Sequence, residues 1–337
     1  MFHVAISQLT TSRWELPEEI ARLADHGFDR LSLWRAKLSD HGSAAAASLL
    51  TSAGMRVSSL QWAGGFTGSD GRTFAESVED AAEAIETAAA VGAPVLVVHS
   101  GCRGGHTRAH ARRLLVQALE MLAPIAGAAG VTLAVKPMHA TAASGCSFLT
   151  HLVDALELVE DAADPAVRMA FDLWQFADDP GLVRLLPRLA AATVVVQVAD
   201  RNGPPTSELE RLPAGHGSLP LESLALAFID HGYGGDFEFD PVGDTVASLG
   251  YERVLAETRR VTDAWAAAVE ERLMWSRATA AVWQTAGLRL AAARGGLSQR
   301  LWPAAWMTGW ITGWSISQFR STGSRRSQAS SQTVSRG

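Results

Sequence analysis

Short apolar runs rich in β-branched residues, each closing on polar residues at a Gly or Pro turn, recur along the first 240 positions of the chain. They are HVAIS (3–7), RLSLW (30–34), VSSLQ (57–61), VLVVHS (95–100), TLAVK (132–136), RMAFD (168–172), TVVVQVAD (193–200) and FEFD (237–240). Between them lie Ala, Leu, Glu and Arg rich stretches with helical spacing, among them FAESVEDAAEAIETAAAVG (74–92) and HARRLLVQALEMLAPIAGAAG (110–130). Strands that are apolar almost throughout are buried on both faces, as in a parallel sheet covered by helices. Eight of them alternating with helices predict an α/β protein with a closed (β/α)8 fold, the TIM barrel. An open doubly wound sheet is the alternative, but no GxGxxG turn follows the first strand, where a dinucleotide would sit.

Composition narrows the class. With 337 residues, 47% of them hydrophobic, the chain has enough apolar material for one large core. The two cysteines, Cys102 and Cys146, are too few for a disulfide framework or a four-cysteine zinc site, which fits a reducing compartment. The opening MFHVAISQLT lacks the charged and long apolar regions of a secretory signal, so a cytoplasmic location is expected.

Charge divides the chain. Residues 273–337 hold eight arginines and no Asp or Glu, while residues 1–272 carry a net −14. The expected organisation is therefore a catalytic barrel over 1–272 and an atypical basic extension over 273–337. That extension contains Trp302, Trp306, Trp310 and Trp314 at intervals of four, a stripe on one helix face, and a Ser and Arg rich end expected to be disordered. It reads as a membrane-surface or partner-binding helix, as a poor transmembrane segment, or as the product of a shifted reading frame, the last being favoured. An acidic body with no P-loop argues against nucleic acid, and no membrane contact is expected of the body.

A (β/α)8 enzyme builds its site at the carboxyl ends of its strands. In order these ends present Ser7 and Gln8, Trp34 and Arg35, Gln61 and Trp62, His99, Lys136 and His139, Asp172 and Gln175, Gln197 with Asp200 and Arg201, then Glu238 and Asp240. Trp34, Trp62 and Trp174 are expected to line the mouth, where a sugar ring or another flat substrate stacks.

Several segments in this order carry a resemblance: SGCRGGHTRAHARRLL after the fourth strand, VTLAVKPMHA at the fifth, RMAFDLWQFADDP at the sixth, VVVQVADRNGPPTSELERLPAGHGSLPL at the seventh and GYGGDFEFDPVG at the eighth. Over residues 1–270 the chain resembles the sugar phosphate isomerase/epimerase family. These xylose isomerase-like barrels also include inosose dehydratases, ketose 3-epimerases and 3-dehydroshikimate dehydratases. The resemblance implies a divalent metal held by a Glu ending strand five, an Asp ending strand six, a His or Gln on strand seven and a Glu ending strand eight. The two glutamates also move a proton next to a carbonyl, and family members often form homodimers.

Here those positions correspond to Lys136, Asp172, Gln197 and Asp240, and a His that often follows the strand-six Asp is Gln175. A lysine ammonium about 3 Å from a divalent ion, at an effective dielectric near 20, would repel it by on the order of 10 kcal/mol. The expectation is that no metal and no other cofactor is used; if a metal such as Mn, Mg, Co or Zn is bound, its ligands are Asp172, Gln197 and Asp240.

Lys136 is one of only two lysines, Lys37 being the other, in a chain whose remaining 27 basic residues are arginine. An ammonium in a dry pocket stabilises a developing oxyanion; a lysine with its pKa lowered by burial acts as a base or forms a Schiff base; or Lys136 simply pairs with Asp172 or Asp240. His139 is a general acid or base or a loop cap. His99 with His106 and His110 is a weaker metal cluster, set against a solvated loop and helix turn. Gln175, Gln197 and Arg201 are expected to position the substrate, while Glu210 and Arg211 lean towards scaffold.

The leading expectation is an isomerase, epimerase, lyase or cyclase acting beside a carbonyl of a small metabolite, with Lys136, Asp172, Asp240 and His139 catalytic and Trp34, Trp62, His99, Trp174, Gln175, Gln197 and Arg201 binding substrate. Two alternatives stand beside it. One is a metal-dependent sugar (phosphate) isomerase or epimerase, or an inosose-type dehydratase; the other is a barrel that binds a metabolite or protein without catalysis.

Overall fold

A computed structural model describes residues 2–143, 145–206 and 210–293. Its eight strands are parallel and close into a barrel in chain order. They are β1 His3–Ser7, β2 Arg30–Trp34, β3 Arg56–Gly64, β4 Val95–His99, β5 Thr132–Lys136, β6 Val167–Asp172, β7 Thr193–Val198 and β8 Asp236–Phe239. Every strand coincides with an apolar run that predicted it, and the (β/α)8 expectation holds.

The helices are α1 Leu16–Asp25, α2 Arg35–Ser39, α3 Ser43–Ser52, α4 Phe74–Ala90, α5 Arg108–Ala129, α6 Leu152–Ala162, α7 Leu173–Phe176, α8 Leu182–Ala192, α9 Leu221–Asp230, α10 Asp244–Leu249 and α11 Tyr251–Ala293. A capping box starts α4: the Thr73 hydroxyl accepts from the Glu76 N–H and the Glu76 carboxylate accepts from the Thr73 N–H. Val78, Ala81, Ile85 and Ala88 then form the stripe that packs inward. Thr107 caps α5, which ends on Gly130 at φ +70°, a left-handed conformation that glycine adopts without steric cost.

Residues Met1–Trp275 form the compact unit that holds the barrel. Among the described residues no helix is long and apolar enough to cross a membrane. Trp302, Trp306, Trp310, Trp314 and the Ser and Arg rich end lie outside the described residues.

Among the described residues apolar packing forms two main layers and a small third cluster of Ala142, Trp174 and Ala199. The larger lies between strands and helices; a smaller cluster of Val95, Val97, Ala134, Ala170 and Val195, from β4 to β7, sits apart from it. Opposite that cluster, Ser58, Ser59 and Gln61 of β3 reach Glu238 of β8. Strands β3 and β8 are not neighbours in the sheet, so these contacts cross the barrel interior. Consecutive residues of a regular strand face opposite ways, but the β2/β3 register shifts between Leu31↔Val57 and Leu33↔Leu60. That bulge lets Ser58 and Ser59 both turn to one carboxylate.

Helix α11 covers the outside of β1 and β8 through buried Val254, Leu255, Thr258, Thr262, Trp265 and Val269. Trp265 packs 6.1 Å from Phe2 and 5.6 Å from Phe239, centroid to centroid. Trp265→Ala is expected to cost about 3 kcal/mol of unfolding free energy. In the same urea titration Met274→Ala, at a position 64% exposed, should shift stability by no more than about 0.5 kcal/mol.

Candidate active site at the carboxyl ends of the strands

Strand register delivers the central residues. Lys136 pairs with His99 across β4 and β5, Asp172 with Gln197 across β6 and β7, and Gln197 with Glu238 across β7 and β8. Asp240, two residues beyond Glu238, follows β8 directly. The Lys136 Nζ lies 2.9 Å from Asp172 Oδ2 and also donates to Gln197 Oε1. The sequence-predicted Lys136, Asp172 and Gln197 are therefore in direct contact, and all three are buried.

Asp240 joins them through a residue expected to be scaffold. The Arg211 guanidinium donates from Nη1 to Asp172 Oδ2 and from Nη2 to Asp172 Oδ1, both at 3.0 Å, and from Nη2 to Asp240 Oδ1 at 2.5 Å. Its Nε donates to the Asp240 carbonyl at 3.2 Å, and the group lies 5.1 Å from the centre of the Trp174 ring. Arg211 sits far along the loop between β7 and α9, and three ties bring it here. Leu212 bridges to Asp200, Arg211 bridges to Val242, and the Glu210 carboxylate accepts from the Asp244 and Thr245 N–H groups at the start of α10.

The four charges set one another. Burial alone would raise Asp172, but Arg211 and then Lys136 hold it well below the ordinary carboxylate range. Burial dominates at Asp240 and lifts it to about 7, the Asp172 charge adding to the rise and Arg211 opposing it. Beneath them Glu238 is raised by burial while hydrogen bonds from Ser59, Ser58 and Gln197 counter the shift.

At the carboxyl ends of β3 and β4, next to the cluster through His99, the register partner of Lys136, lies a cavity of about 260 Å³. It is lined by Trp62, His99, Arg35, Arg72, Asp70 and Asp80 among others, with Lys136, Asp172 and Asp240 outside its wall. Trp62 is 39% exposed and stacks on His99 with centroids 5.4 Å apart and planes 14° from parallel. The His99 Nδ1 is buried without a hydrogen-bond partner among the described residues. Burial, reinforced by the Lys136 charge, lowers its pKa to about 3, so the imidazole is neutral. Arg35 chelates Asp80 at 3.0 and 3.1 Å, and Arg72 pairs with Asp70 and Asp80.

Other expectations shift with burial. Trp174 is 1% exposed and donates its indole N–H to the Glu210 carbonyl, so it props Arg211 and does not line the mouth. Arg201 spends its donors on the Trp174 and Gly203 carbonyls and on Asp178, which ties down its loop and leaves it turned away from the central cluster. Gln175 is buried and accepts from the His139 N–H at 2.8 Å. His139 is half-buried, its Nδ1 2.8 Å from Thr141 Oγ1. Trp34 is half-buried, and its N–H donates to Gln8 Oε1. The His106 and His110 rings lie 4.7 Å apart, tilted by 39°, on the loop and first turn of α5; among the described residues no three His, Cys, Asp or Glu side chains converge as metal ligands. Glu238 was expected among the strand-end residues, pointing the same way as Asp240, but was given no role, and Arg211 was expected to be scaffold; both adjoin the cluster.

A family model described as xylose isomerase-like TIM barrel matches residues 20–277. Among solved structures the chain is similar to protein SMc04130 from Sinorhizobium meliloti 1021, at 24% identity and TM-score 0.71 over 77% of this chain and 96% of that one. It is also similar to the IOLI protein solved with a zinc atom, at 16% identity and TM-score 0.68 over 80% and 99%. A third likeness is to D-psicose 3-epimerase with D-tagatose from Clostridium cellulolyticum H10, at 12% identity and TM-score 0.63 over 80% and 99%. At these identities the likeness is one of fold. No curated protein sequence matches the chain.

The lowered pKa of His99 makes stability acid-sensitive. The folded protein keeps this ring neutral down to about pH 3, whereas the unfolded chain protonates it near its ordinary value of 6.5. Its contribution is therefore complete above that ordinary value and falls as pH drops towards the folded one, by up to about 1.4 kcal/mol per pH unit. Urea unfolding between about pH 7 and pH 4 should show a steeper loss for the wild type than for His99→Gln. Parallel pH slopes would remove His99 as the source.

Proposed function

The chain belongs to the xylose isomerase-like TIM barrel family, and on that premise we propose that it is an enzyme that moves a proton next to a carbonyl of a small metabolite without a divalent metal. The observation that carries this reading is the buried Lys136 ammonium at the centre of the strand ends, 2.9 Å from Asp172. An ammonium has three N–H donors. Asp172 and Gln197 take two of them, and the third is the one we assign to the substrate carbonyl oxygen.

In the proposed step Asp240 removes the proton from the carbon beside the carbonyl, the C–H electrons form the enolate double bond, and the negative charge that develops on oxygen faces the Lys136 ammonium. For an epimer a second acid protonates the opposite face of the same carbon while Asp240 keeps the proton it removed. For an isomer the proton of the α-hydroxyl passes to the former carbonyl oxygen, and Asp240 returns its proton to the former carbonyl carbon as the new C=O forms. Asp240 suits this work because its carboxyl is poised at about 7, where both protonation states are populated. His139, whose backbone N–H donates to the Gln175 side chain three residues past Asp172, is assigned the second proton transfer. The family's metal does not suit this donor set: two side-chain cations already neutralise Asp172 and Asp240.

The cavity supports a substrate less charged than a sugar phosphate. Arg35 and Arg72 in its wall already hold carboxylates, so a phosphate would have to displace Asp70 or Asp80. Exposed Trp62 offers a flat face, which favours an uncharged hydroxylated or flat ring. One observation favours a second reading, binding without turnover: each charge of the central cluster is matched inside the protein.

The full-length protein, treated with chelator, is incubated in D2O with unphosphorylated ketoses, inososes and cyclic ketones, and deuterium uptake beside the carbonyl is followed by NMR. Uptake is expected, with Lys136→Met and Asp240→Asn slowing it by about 10²- to 10⁴-fold. Uptake only after Mn2+ is restored would favour a metal-dependent isomerase. Binding of these ligands with no exchange in any of them would favour the second reading.

A further inference from the structure

Arg211 stands where a bound cation would stand. A single nitrogen, Nη2, is 3.0 Å from Asp172 Oδ1 and 2.5 Å from Asp240 Oδ1. An ion shared by these two carboxylates through the same oxygens would lie in the space between them, at about 2.0–2.2 Å from each. The guanidinium is held on every side: bidentate on Asp172, its Nε on the Asp240 carbonyl, its plane against buried Trp174. The backbone on either side is fixed by the Arg211↔Val242 and Asp200↔Leu212 bridges and by the Glu210 cap on α10.

We infer that Arg211 is a built-in substitute for the metal ion, a positioning residue that holds Asp172 and Asp240 in the geometry a divalent cation would otherwise impose. The inference rests on the metal-free reading above and adds which group fills the position. Lys136 and Arg211 act as separate barriers. Lys136 contributes a positive charge where a ligand is needed, and Arg211 occupies the coordination space itself. A guanidinium cannot be stripped by a chelator or lose its proton, so the cation between the two carboxyl groups is retained at any working pH. Replacing the lysine alone should therefore leave the position closed, and only removal of both cations should open a carboxylate set for a hard divalent ion.

The test compares full-length wild type, Lys136→Glu and Lys136→Glu/Arg211→Ala by titration with Mn2+, free metal being followed by electron paramagnetic resonance and folding by circular dichroism. The double variant is expected to bind about one equivalent at least roughly tenfold more tightly than the other two, and to melt at higher temperature when Mn2+ is present. Stoichiometric binding by Lys136→Glu alone would overturn the inference, because the lysine would then be the sole barrier. A folded double variant that binds no Mn2+ would overturn it as well, while leaving the metal-free enzyme intact. Uptake by the wild type would defeat both readings together. Absence of deuterium exchange beside an otherwise positive titration would defeat only the proposed activity. If the double variant does not fold, Lys136→Gln and Lys136→Gln/Arg211→Ala are compared on the same criteria.

Discussion

Two carboxylates, Asp172 and Asp240, and two cations, Lys136 and Arg211, share one buried volume at the carboxyl ends of β5 to β8, and the local structure is arranged around their mutual neutralisation. Removing one member of such a group strands a charge away from water, which typically costs about 3–5 kcal/mol. That cost explains how much of the surroundings serves to hold the cations in place. Trp174 underlies Arg211, Glu210 ties the loop to α10, and Gln197 bridges Lys136 to the polar floor. Whatever chemistry the barrel performs is framed by a fixed, nearly neutral cluster.

Below it the barrel interior is uneven. Small apolar side chains fill the side of β4 to β7, while Glu238 and its hydroxyl and amide partners fill the opposite side. A carboxylate without a directly paired cation is tolerable at this depth only because several donors converge on it, and the bulge in β3 supplies two of them. The same economy of cations recurs at the chain's other lysine. Lys37 is buried against Glu19 at 2.8 Å, with Thr11 and Gln8 completing that carboxylate's partners. Both lysines of this arginine-rich chain thus sit in buried ion pairs. Rarity of lysine in this chain therefore marks burial first and catalysis only in the company of the strand ends.

The eight strands, their order and the positions of Lys136, Asp172, Gln197 and Asp240 were legible in the sequence, because apolar runs and strand alternation are local patterns and a barrel places every strand end on one face. Side-chain exposure was not. Trp174 and Arg201 lie just past strand ends and Trp62 near the end of β3, yet the β7–α9 loop folds over Trp174, and Arg201 turns to the Trp174 and Gly203 carbonyls. Arg211 had no local signal at all. It lies 39 residues from Asp172 and 29 from Asp240 along the chain, in a loop whose path follows from bridges to Asp200 and Val242. Periodicity and composition therefore determined the architecture and the residues available at its rim. Which of them meet, which are buried, and which cation fills the space between Asp172 and Asp240 depended on long-range loop packing, since charge pairing acts through space and leaves no periodic trace along the chain.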